Sequence, residues 1–480
     1  MTEQGEPPDE FREHCGVVGV WNHPEAGKLA YLALYALQHR GQEGAGIATA
    51  YEGGMRIHKD QGLVADVFTP EALAELKGRN SIGHNRYSTA GASLEKNLQP
   101  LMVNYHGGSL AMGHNGSLVN IKSQREELER HGAIFQSGTD TEIILHLIAR
   151  SSQRGLVNRV VDALLQVQGA YSLVILAPDK MIVVRDPFGF RPLIMGRLGE
   201  SWVVASETCA LDLLDARPVR RVEPGEMVVF DADGVHSLKP LPPKEPKRCV
   251  FEYVYFARPD SDLWGNSVYS ARVRSGVRLA REAPAPSADI VIAVPDSGVP
   301  AAMGFAQESG LRYDMGLVRN HYVGRTFIEP SQTIRDFGVK LKLNPVKGLL
   351  EGKRVVVVDD SLVRGTTCSK IVRILRQAGA LEVHVRIAAP PTIGPCFYGI
   401  DTPRRDDLVA ATKTRSEICE FLGADSLAYL SLEGLHDSIH KDPAGTGFCD
   451  ACFSDRYPIV HDELHQQPPQ LPLFGDRSIG

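Results

Sequence analysis

The sequence predicts two domains, an α+β domain followed by a doubly wound α/β domain, and three observations support this prediction. At 480 residues the chain is too long for one ordinary hydrophobic core. Short strand patterns mix with helical patterns from residue 15 to about 235, whereas continuous β-branched runs alternate with helical patterns in the second half. The proline-rich, basic segment LKPLPPKEPKRC, residues 238–249, separates the two patterns.

The individual elements follow from apolar spacing. Gly, Asn and Asp bound the strand-like runs of the first half, which are CGVVGVW, SLAMGH, YSLVILA, KMIVVRD and ESWVVAS. Apolar residues recur every three and four positions in KLAYLALYALQHR and TEIILHLIARSS, which predicts helices. In the second half, ADIVIAV and KRVVVVDD are continuous β-branched runs, each followed by a loop and a helical pattern, as buried parallel strands require.

Composition excludes several classes of protein. The chain has 52 Lys and Arg against 58 Asp and Glu, a net charge of −6, so we expect neither a nucleic-acid nor a membrane partner. The acidic residues 1–14 contain no apolar region of a secretory signal and are poor in the Arg and Ser that are typical of a transit peptide. We therefore expect a cytoplasmic protein whose eight cysteines are thiols, ligands or a nucleophile.

A single cysteine, Cys15, stands between this polar leader and the first apolar strand. By itself it would most simply be a small buried hydrophobic residue. Four polar loops rich in Gly, Asn and Arg follow it, however, and such loops between strands suit a pocket for a small zwitterion. These loops are QHRGQEGAGIA at 38–48, HNRYSTAG at 84–91, GHNGSLVN at 113–120 and SGTDTE at 137–142.

In this order behind a cysteine, the four loops closely resemble those of class II glutamine amidotransferase domains, which belong to the N-terminal nucleophile group. The resemblance implies an αββα sandwich over residues 15–245 and a propeptide, residues 1–14, whose removal makes Cys15 the N-terminus. The freed α-amine, with a pKa of about 8, can take the proton of the thiol. Cys15 is thus the predicted nucleophile toward the side-chain amide of glutamine.

The same resemblance assigns the other residues of this pocket. Asn115 and Gly116 match the oxyanion hole, Arg86 suits the α-carboxylate of glutamine, and Asp140 suits its α-ammonium. Asp140 also precedes the helical pattern TEIILHLIA, so a helix N-cap remains open as its role. Because the terminal amine supplies the base, the nearby histidines are expected to be a hydrogen-bonding scaffold: His39, His84 and His114.

The stretch KRVVVVDDSLVRGTTCSKIVRILRQAG, residues 353–379, predicts a sugar-phosphate site. A buried strand ends in Asp359 and Asp360, and a short loop leads into an amphipathic helix whose free N–H groups can hold a phosphate. Two carboxylates beside a phosphate should face sugar hydroxyls or Mg²⁺. The motifs of nucleoside triphosphate and dinucleotide loops are absent from this stretch.

This stretch strongly resembles the phosphoribosyl diphosphate motif of type I phosphoribosyltransferases. The resemblance implies that the substrate is bound by Asp359, Asp360, Ser361, Arg364, Gly365, Thr366 and Thr367. It also matches IVIAVPDSGVPAAMGFA, residues 290–306, to the loop that binds diphosphate, which implies Mg²⁺ contacts at Ser297, Asp359 and Asp360. Residues 321–346 correspond to a flexible loop that closes over the substrate, with Lys340 contacting it, although a solvated surface remains the alternative for its basic residues.

Four cysteines of the second half form another candidate site. Cys449 and Cys452 form a C-x-x-C pair, and Cys249 and Cys396 lie far from it in sequence. Such a set could hold zinc or an iron–sulfur cluster, and the pair alone could be a redox dithiol. Spacing does not choose among these.

From Cys15 onward, nearly the whole chain resembles the amidophosphoribosyltransferase family, in its branch with a propeptide and four cluster cysteines. The resemblance implies a [4Fe-4S] cluster, a phosphoribosyltransferase domain over 246–465 and a tail over 466–480. It implies that glutamine, water and 5-phosphoribosyl 1-diphosphate give 5-phosphoribosylamine, glutamate and diphosphate, the first committed step of purine synthesis. Feedback inhibition by purine nucleotides and a homotetramer are further implications.

Two alternatives remain. Another class II amidotransferase would not carry VVVVDDSLVRGTT in its second domain. A non-catalytic regulatory protein built on a phosphoribosyltransferase fold would have no reason to keep Cys15 and the glutamine-pocket loops.

Overall fold

The computed structural model describes residues 15–52, 54–86, 95–320, 343–400, 402, 404–439 and 447–460. The strands of the first half are β1 (Gly16–Trp21), β2 (Gly44–Tyr51), β3 (Gly54–Gln61), β4 (Asn80–Arg86), β5 (Leu101–Tyr105), β6 (Gly108–Leu118), β7 (Gly169–Ala177), β8 (Lys180–Arg185), β9 (Ile194–Leu198), β10 (Ser201–Ala205), β11 (Arg217–Arg221), β12 (Met227–Asp231) and β13 (Gly234–Leu238). Its helices are α1 (Ala26–Ala36), α2 (Val64–Val67), α3 (Pro70–Glu75), α4 (Ile121–Arg130), α5 (Thr141–Arg150), α6 (Leu156–Leu164) and α7 (Thr208–Leu213).

These elements form two stacked antiparallel sheets with helices on both outer faces. The seven-stranded sheet has the order β11-β9-β10-β1-β4-β2-β3, and the six-stranded sheet has the order β13-β12-β8-β7-β6-β5. Alternation along β1 shows the layering, because Val17 packs between the sheets while Val18 packs against α1. Helices α5 and α6 cover the outer face of the other sheet. The predicted αββα sandwich is confirmed.

The second half contains strands β14 (Arg248–Cys249), β15 (Asp262–Leu263), β16 (Asn266–Ser267), β17 (Ile290–Ala293), β18 (Arg312–Tyr313), β19 (Leu317–Arg319), β20 (Leu343–Pro345), β21 (Arg354–Asp359), β22 (Glu382–Ile387), β23 (Ser426–Tyr429) and β24 (Phe448–Cys449). Its helices are α8 (Val268–Glu282), α9 (Val299–Ser309), α10 (Lys347–Leu350), α11 (Thr366–Gln377), α12 (Val409–Thr412), α13 (Arg415–Leu422), α14 (Leu432–Ile439) and α15 (Ala451–Ser454). A short π-helix, Glu252–Phe256, precedes them.

A five-stranded parallel sheet, in the order β18-β17-β21-β22-β23, forms the centre of this half. Val356 and Val358 of β21 pack toward α8 and α9, whereas Val355 and Val357 pack toward α11. Burial on both faces explains why this strand is a continuous apolar run. The predicted doubly wound α/β domain is confirmed. No helix in the described part of the chain is both long and apolar enough to cross a membrane.

Residues 239–247 connect the two halves and contain no helix or strand. The halves nevertheless pack closely. The Phe190 ring of the first half stacks on the Tyr398 ring of the second, with centroids 4.4 Å apart and an interplanar angle of 15°. The N–H of Lys247 donates to the carbonyl of Phe188 at 2.8 Å.

A buried group of charges, here called the interdomain ion cluster, joins the halves. It consists of Arg40, Arg191 and Glu207 from the first half and Glu252 from the second, and each of these side chains is fully buried. Glu252 lies 2.8 Å from Arg40 and 3.1 Å from Arg191, and Glu207 lies 2.5 Å from Arg40. Burial alone lowers the pKa of Arg40, but Glu252 and Glu207 raise it above its usual value. Arg40 therefore stays charged although it is buried.

Replacing Glu252 by Gln should destabilise the protein strongly, because the two guanidinium groups would keep their buried charge without this carboxylate. We expect the free energy of unfolding in urea to fall by about 3–5 kcal/mol. The control is Glu25→Gln, which removes an exposed ion pair with Lys28 and should leave stability nearly unchanged. Equal stability of the two variants would contradict a central role for Glu252.

Two candidate active sites and a cysteine cluster

The candidate nucleophile Cys15 immediately precedes β1 and is half-buried. Its carbonyl accepts a hydrogen bond from Nε of Arg40 at 3.3 Å. The N–H of Val17 donates to Oγ of Ser206 at 3.0 Å, which fixes the start of the strand. The position of Cys15 therefore depends on the interdomain ion cluster through Arg40. Sequence reasoning missed this role, although Arg40 lies in the quoted loop at 38–48.

Arg86 ends β4, the neighbour of β1, and Asn85 pairs with Gly16 in that register. Burial lowers the pKa of Arg86, whereas the nearby Cys15, Glu43 and Asp140 raise it. Nη1 of Arg86 also donates a hydrogen bond to the carbonyl of Asn97. The structure thus brings Arg86, Cys15 and Asp140 into one electrostatic environment, although they are distant in sequence.

Asn115 and Gly116 lie on β6 of the other sheet. Asn115 is fully buried, and its amide oxygen and nitrogen have no hydrogen-bond partner among the described residues. Unpartnered buried amides are costly, so this one is available for a ligand. Gly116 has φ +149°, and a Cβ at this position would collide with the carbonyl oxygen of Ala170. Only glycine therefore fits there.

Asp140 precedes α5, but its side chain makes no capping hydrogen bond to that fully described helix. The carboxylate instead accepts from the N–H of Leu118 at 2.9 Å and lies 3.5 Å from Nδ1 of His114. Asp140 thus occupies the N-cap position of α5, but its carboxylate turns toward β6 instead of capping the helix. Sequence spacing gave no signal for this pairing with His114.

The three histidines expected as scaffold all make hydrogen bonds. Nε2 of His39 lies 2.8 Å from Glu207, Nε2 of His84 lies 3.0 Å from the carbonyl of His114, and Nε2 of His114 lies 3.2 Å from the carbonyl of Ala170. Burial lowers the pKa of His84 to about 3, so its imidazole is neutral.

In the second half, Asp359 ends β21 and a loop leads to α11. Gly365 stands at the N-cap of α11 with φ +81°, and a Cβ there would lie 3.1 Å from the Phe421 ring. The N–H of Asp360 donates to Asp359 at 2.9 Å, and the hydroxyl of Ser361 donates to Asp360 at 2.5 Å. The glycine turn thus lets α11 begin directly after the loop that carries these carboxylates.

The other predicted residues lie around the same loop. Thr366 and Thr367 form the first turn of α11, exposed and half-buried respectively. Nη2 of Arg364 lies 3.7 Å from Asp407. Lys340, and most of the predicted flexible loop with it, lies outside the described residues.

Ser297 follows β17, the strand next to β21, and lines a small cavity together with Asp360 and the buried Arg272. A Cβ at Gly298 would lie 2.7 Å from the carbonyl oxygen of Val358, so the loop after β17 packs backbone to backbone against the end of β21. Arg272, which sequence reasoning missed, donates to the carbonyl of Tyr253 at 2.8 Å. Ser297 and Asp360 are thus brought to one edge of the sheet.

The four cysteines predicted as ligands come together. Cys249 and Cys449 are register partners in the parallel pairing of β14 with β24. The carbonyl of Cys452 accepts from the N–H groups of residues 393 and 394, shortly before Cys396. Burial raises the pKa of Cys449 and Cys452, and each neighbouring cysteine raises it further. For Cys249, burial raises the pKa to about 11 although Arg191 opposes the shift.

The thiols of the buried Cys249, Cys449 and Cys452 and of the half-buried Cys396 are soft donors that suit an iron–sulfur cluster or zinc. Across the described segments, no three His, Cys, Asp or Glu side chains already stand in positions that hold a metal ion. The four thiols therefore suit such a group in their chemistry and lie near one another, but they do not stand at metal-ligand positions in this structure. Two other cysteines, Cys209 and Cys368, are buried in separate hydrophobic cores.

The paired carboxylate and imidazole, Asp140 and His114, predict a pH dependence of stability. Burial lowers the pKa of His114 on its own, but Asp140 raises it above 6.5, while His114 offsets the effect of burial on Asp140 and holds its pKa below 3.8. The stabilisation is thus lost as the pH rises through the raised pKa of His114, and as it falls through the lowered pKa of Asp140.

We expect the difference in free energy of unfolding between wild type and Asp140→Asn to decline as the pH is raised from about 5 to about 9. Glu127→Gln is the control, because Glu127 pairs with His131 on the exposed surface and should show no comparable decline. A constant difference for Asp140→Asn would contradict a charged pair.

Comparison with known proteins gives matches to both halves. A family described as a glutamine amidotransferase domain matches residues 84–213, and one described as a phosphoribosyl transferase domain matches residues 280–390.

Individual relatives match over nearly the whole chain. Amidophosphoribosyltransferase 1, chloroplastic, of Arabidopsis thaliana is 55% identical over 477 residues, which cover 99% of this chain and 84% of the relative. Amidophosphoribosyltransferase of Bacillus subtilis (strain 168) is 48% identical over 459 residues, 95% of this chain and 96% of the relative. The solved structure of glutamine phosphoribosylpyrophosphate amidotransferase from B. subtilis complexed with ADP and GMP matches with a TM-score of 0.88 and 47% identity, covering 92% of this chain and 97% of that one.

Proposed function

The chain belongs to the amidophosphoribosyltransferase family, and from this premise we propose how its residues divide the reaction between two sites. The enzyme forms 5-phosphoribosylamine, glutamate and diphosphate from glutamine, water and 5-phosphoribosyl 1-diphosphate, the first step of purine synthesis. The observation that carries the assignment of the glutamine site is the buried, unpartnered amide of Asn115 on β6, a strand that packs against β1 across the sandwich.

In the glutamine half-reaction, removal of residues 1–14 frees the α-amine of Cys15, which takes the thiol proton. The thiolate attacks the side-chain amide carbon of glutamine, and the proton passes to the departing ammonia. Water then hydrolyses the resulting thioester to glutamate and regenerates the thiol. The amide of Asn115 and the N–H of Gly116 donate to the oxyanion of each tetrahedral intermediate.

Two charged residues orient glutamine in this site. Arg86 pairs with its α-carboxylate through the guanidinium fork, and Asp140 with its α-ammonium. The lowered pKa of Asp140 supports this role, because the carboxylate is then ionised at neutral pH although it is half-buried.

In the transfer half-reaction, ammonia attacks the anomeric carbon of the sugar as diphosphate leaves. The first turn of α11, from Gly365 with Ser361, Arg364, Thr366 and Thr367, holds the 5-phosphate, and Asp359 and Asp360 hold the ribose hydroxyls. Mg²⁺ would be held by Ser297 with Asp359 and Asp360, and when bound it neutralises charge on the leaving diphosphate. The shared cavity of Ser297 and Asp360 supports this donor set. Lys340 completes the proposed site from the closing loop.

The deciding experiment measures glutamate and diphosphate release with Mg²⁺, with and without 5-phosphoribosyl 1-diphosphate. Near-equal amounts are expected for wild type, with glutamate release rising when the sugar diphosphate is added. Cys15→Ala should lose synthesis from glutamine and keep synthesis from ammonia. Asp359→Asn should lose diphosphate release with both nitrogen donors, because ammonia from either source reacts at the same sugar-phosphate site.

The matched control is Cys419→Ala, which removes a thiol outside both sites and should keep both activities. Synthesis from glutamine by Cys15→Ala would exclude this nucleophile. Undiminished diphosphate release by Asp359→Asn would exclude the proposed transfer site.

The second cofactor in this proposal is a [4Fe-4S] cluster held by Cys249, Cys396, Cys449 and Cys452. It would act as a structural clamp, since these ligands join β14, β24 and the loop around Cys396. Cys396→Ser should lose most of the iron and acid-labile sulfide per chain, because one of four ligands is removed. Cys419→Ser should retain both, and zinc in place of iron in the wild type would contradict the assignment.

Further parts of the proposal concern regulation, assembly and location. Inhibition by purine nucleotides is supported by the ADP and GMP in the matching B. subtilis structure, and a homotetramer is proposed with it. A cytoplasmic location is supported by eight cysteines of which none forms a disulfide in the described structure, whereas the Arabidopsis relative is named chloroplastic. The proposed domains are a propeptide at 1–14, the amidotransferase at 15–245, the phosphoribosyltransferase at 246–465 and a tail at 466–480.

A further inference from the structure

A glycine of the second half touches the proposed oxyanion hole of the first half. Gly399 has φ +103°, and a Cβ built on it would lie 2.8 Å from the carbonyl carbon of Gly116 and 2.9 Å from its Cα. These are backbone atoms inside a strand, so they cannot move aside as a flexible side chain would. The two backbones are therefore in contact, and any side chain at position 399 would push against Gly116.

Gly116 is confined on its other side as well. Its strand β6 pairs with β7, and a Cβ on Gly116 would collide with the carbonyl oxygen of Ala170. Gly116 is thus in contact with the backbone of Ala170 in its own sheet on one side and with Gly399 of the second half on the other. An oxyanion donor is effective only when its N–H is held at the place where charge develops.

The position of Gly399 is fixed by the preceding residue, Tyr398. The Tyr398 carbonyl accepts from Nε and Nη2 of Arg191 at 3.3 and 3.2 Å, and its ring stacks on Phe190. The N–H of Ile459 donates to the Tyr398 hydroxyl at 3.0 Å. Arg191 and Phe190 of the first half therefore hold Tyr398 in place. The next residue, Gly399, in turn contacts Gly116 of the first half.

We propose that Gly399 is a positioning residue for the oxyanion hole, through its backbone contact with Gly116. The inference rests on the proposed role of Gly116 in glutamine hydrolysis. It means that the second half supplies part of the support for the glutaminase chemistry, in addition to carrying the transfer site.

The test is Gly399→Ala, assayed with glutamine and with ammonia as nitrogen donor. We expect kcat with glutamine to fall about 100-fold, the size of effect seen when one oxyanion donor is lost, while KM for glutamine changes little. Synthesis from ammonia should be unchanged, because the transfer site does not use Gly116. A merely structural defect would instead lower both activities together.

Two comparison variants make the result decisive. Gly310→Ala also places a side chain at a positive φ, +70°, but nothing lies within 4 Å of the added Cβ, so both activities should persist. Gly116→Ala should abolish glutamine hydrolysis. If Gly116→Ala is harmless, the proposed role of Gly116 fails, whereas if only Gly399→Ala is harmless, this inference alone fails.

Should Gly399→Ala not fold, Phe190→Leu provides the same test, because it removes the ring on which Tyr398 stacks. A selective loss of kcat with glutamine would support the inference. Unchanged glutamine hydrolysis, or equal losses with glutamine and ammonia, would overturn it.

Discussion

The Glu252 carboxylate forms ion pairs with two buried guanidinium groups from the other half of the chain, and the docking of the halves depends on it. A buried charge without a partner costs several kcal/mol. Arg40 also pairs with Glu207 of its own half, whereas the carboxylate that pairs with Arg191 is Glu252, so burial of Arg191 depends on docking of the halves. The same guanidinium groups donate to the carbonyls of Cys15 and Tyr398. One carboxylate therefore fixes both the nucleophile and the segment that ends in Gly399.

The two candidate sites hold their polar groups in opposite ways. In the glutamine site the Asn115 amide is buried without a partner, a state that costs stability until a ligand binds. In the sugar-phosphate site, Asp359, Asp360 and Ser361 already hydrogen-bond to one another. The first site thus holds an amide whose hydrogen-bonding groups are unused in the described structure, whereas the carboxylates of the second site are already oriented by their neighbours.

Most of the fold could be predicted from sequence because it depends on local patterns. The four valines of β21 and the glycine turn at Gly365 each carry a local signal, and the structure contains the strand and the turn as expected. The interdomain ion cluster could not be predicted from a local pattern, because Glu252 lies in an apolar stretch and its partners are distant in sequence. The contact of Gly116 with Gly399 could not be predicted either, since a close backbone approach leaves no trace in spacing.

The parallel pairing of β14 with β24 has a consequence for biosynthesis. Cys249 begins the second half, yet its register partner Cys449 is translated near the end of the chain. During translation, Cys15 and Arg40 emerge from the ribosome well before Glu252. Gly399 emerges later still. Domains generally fold from the N-terminus as they emerge. A nascent first half therefore lacks the carboxylate and the glycine that fix its nucleophile and its oxyanion glycine, and the glutamine site is assembled only after residue 399 has emerged from the ribosome.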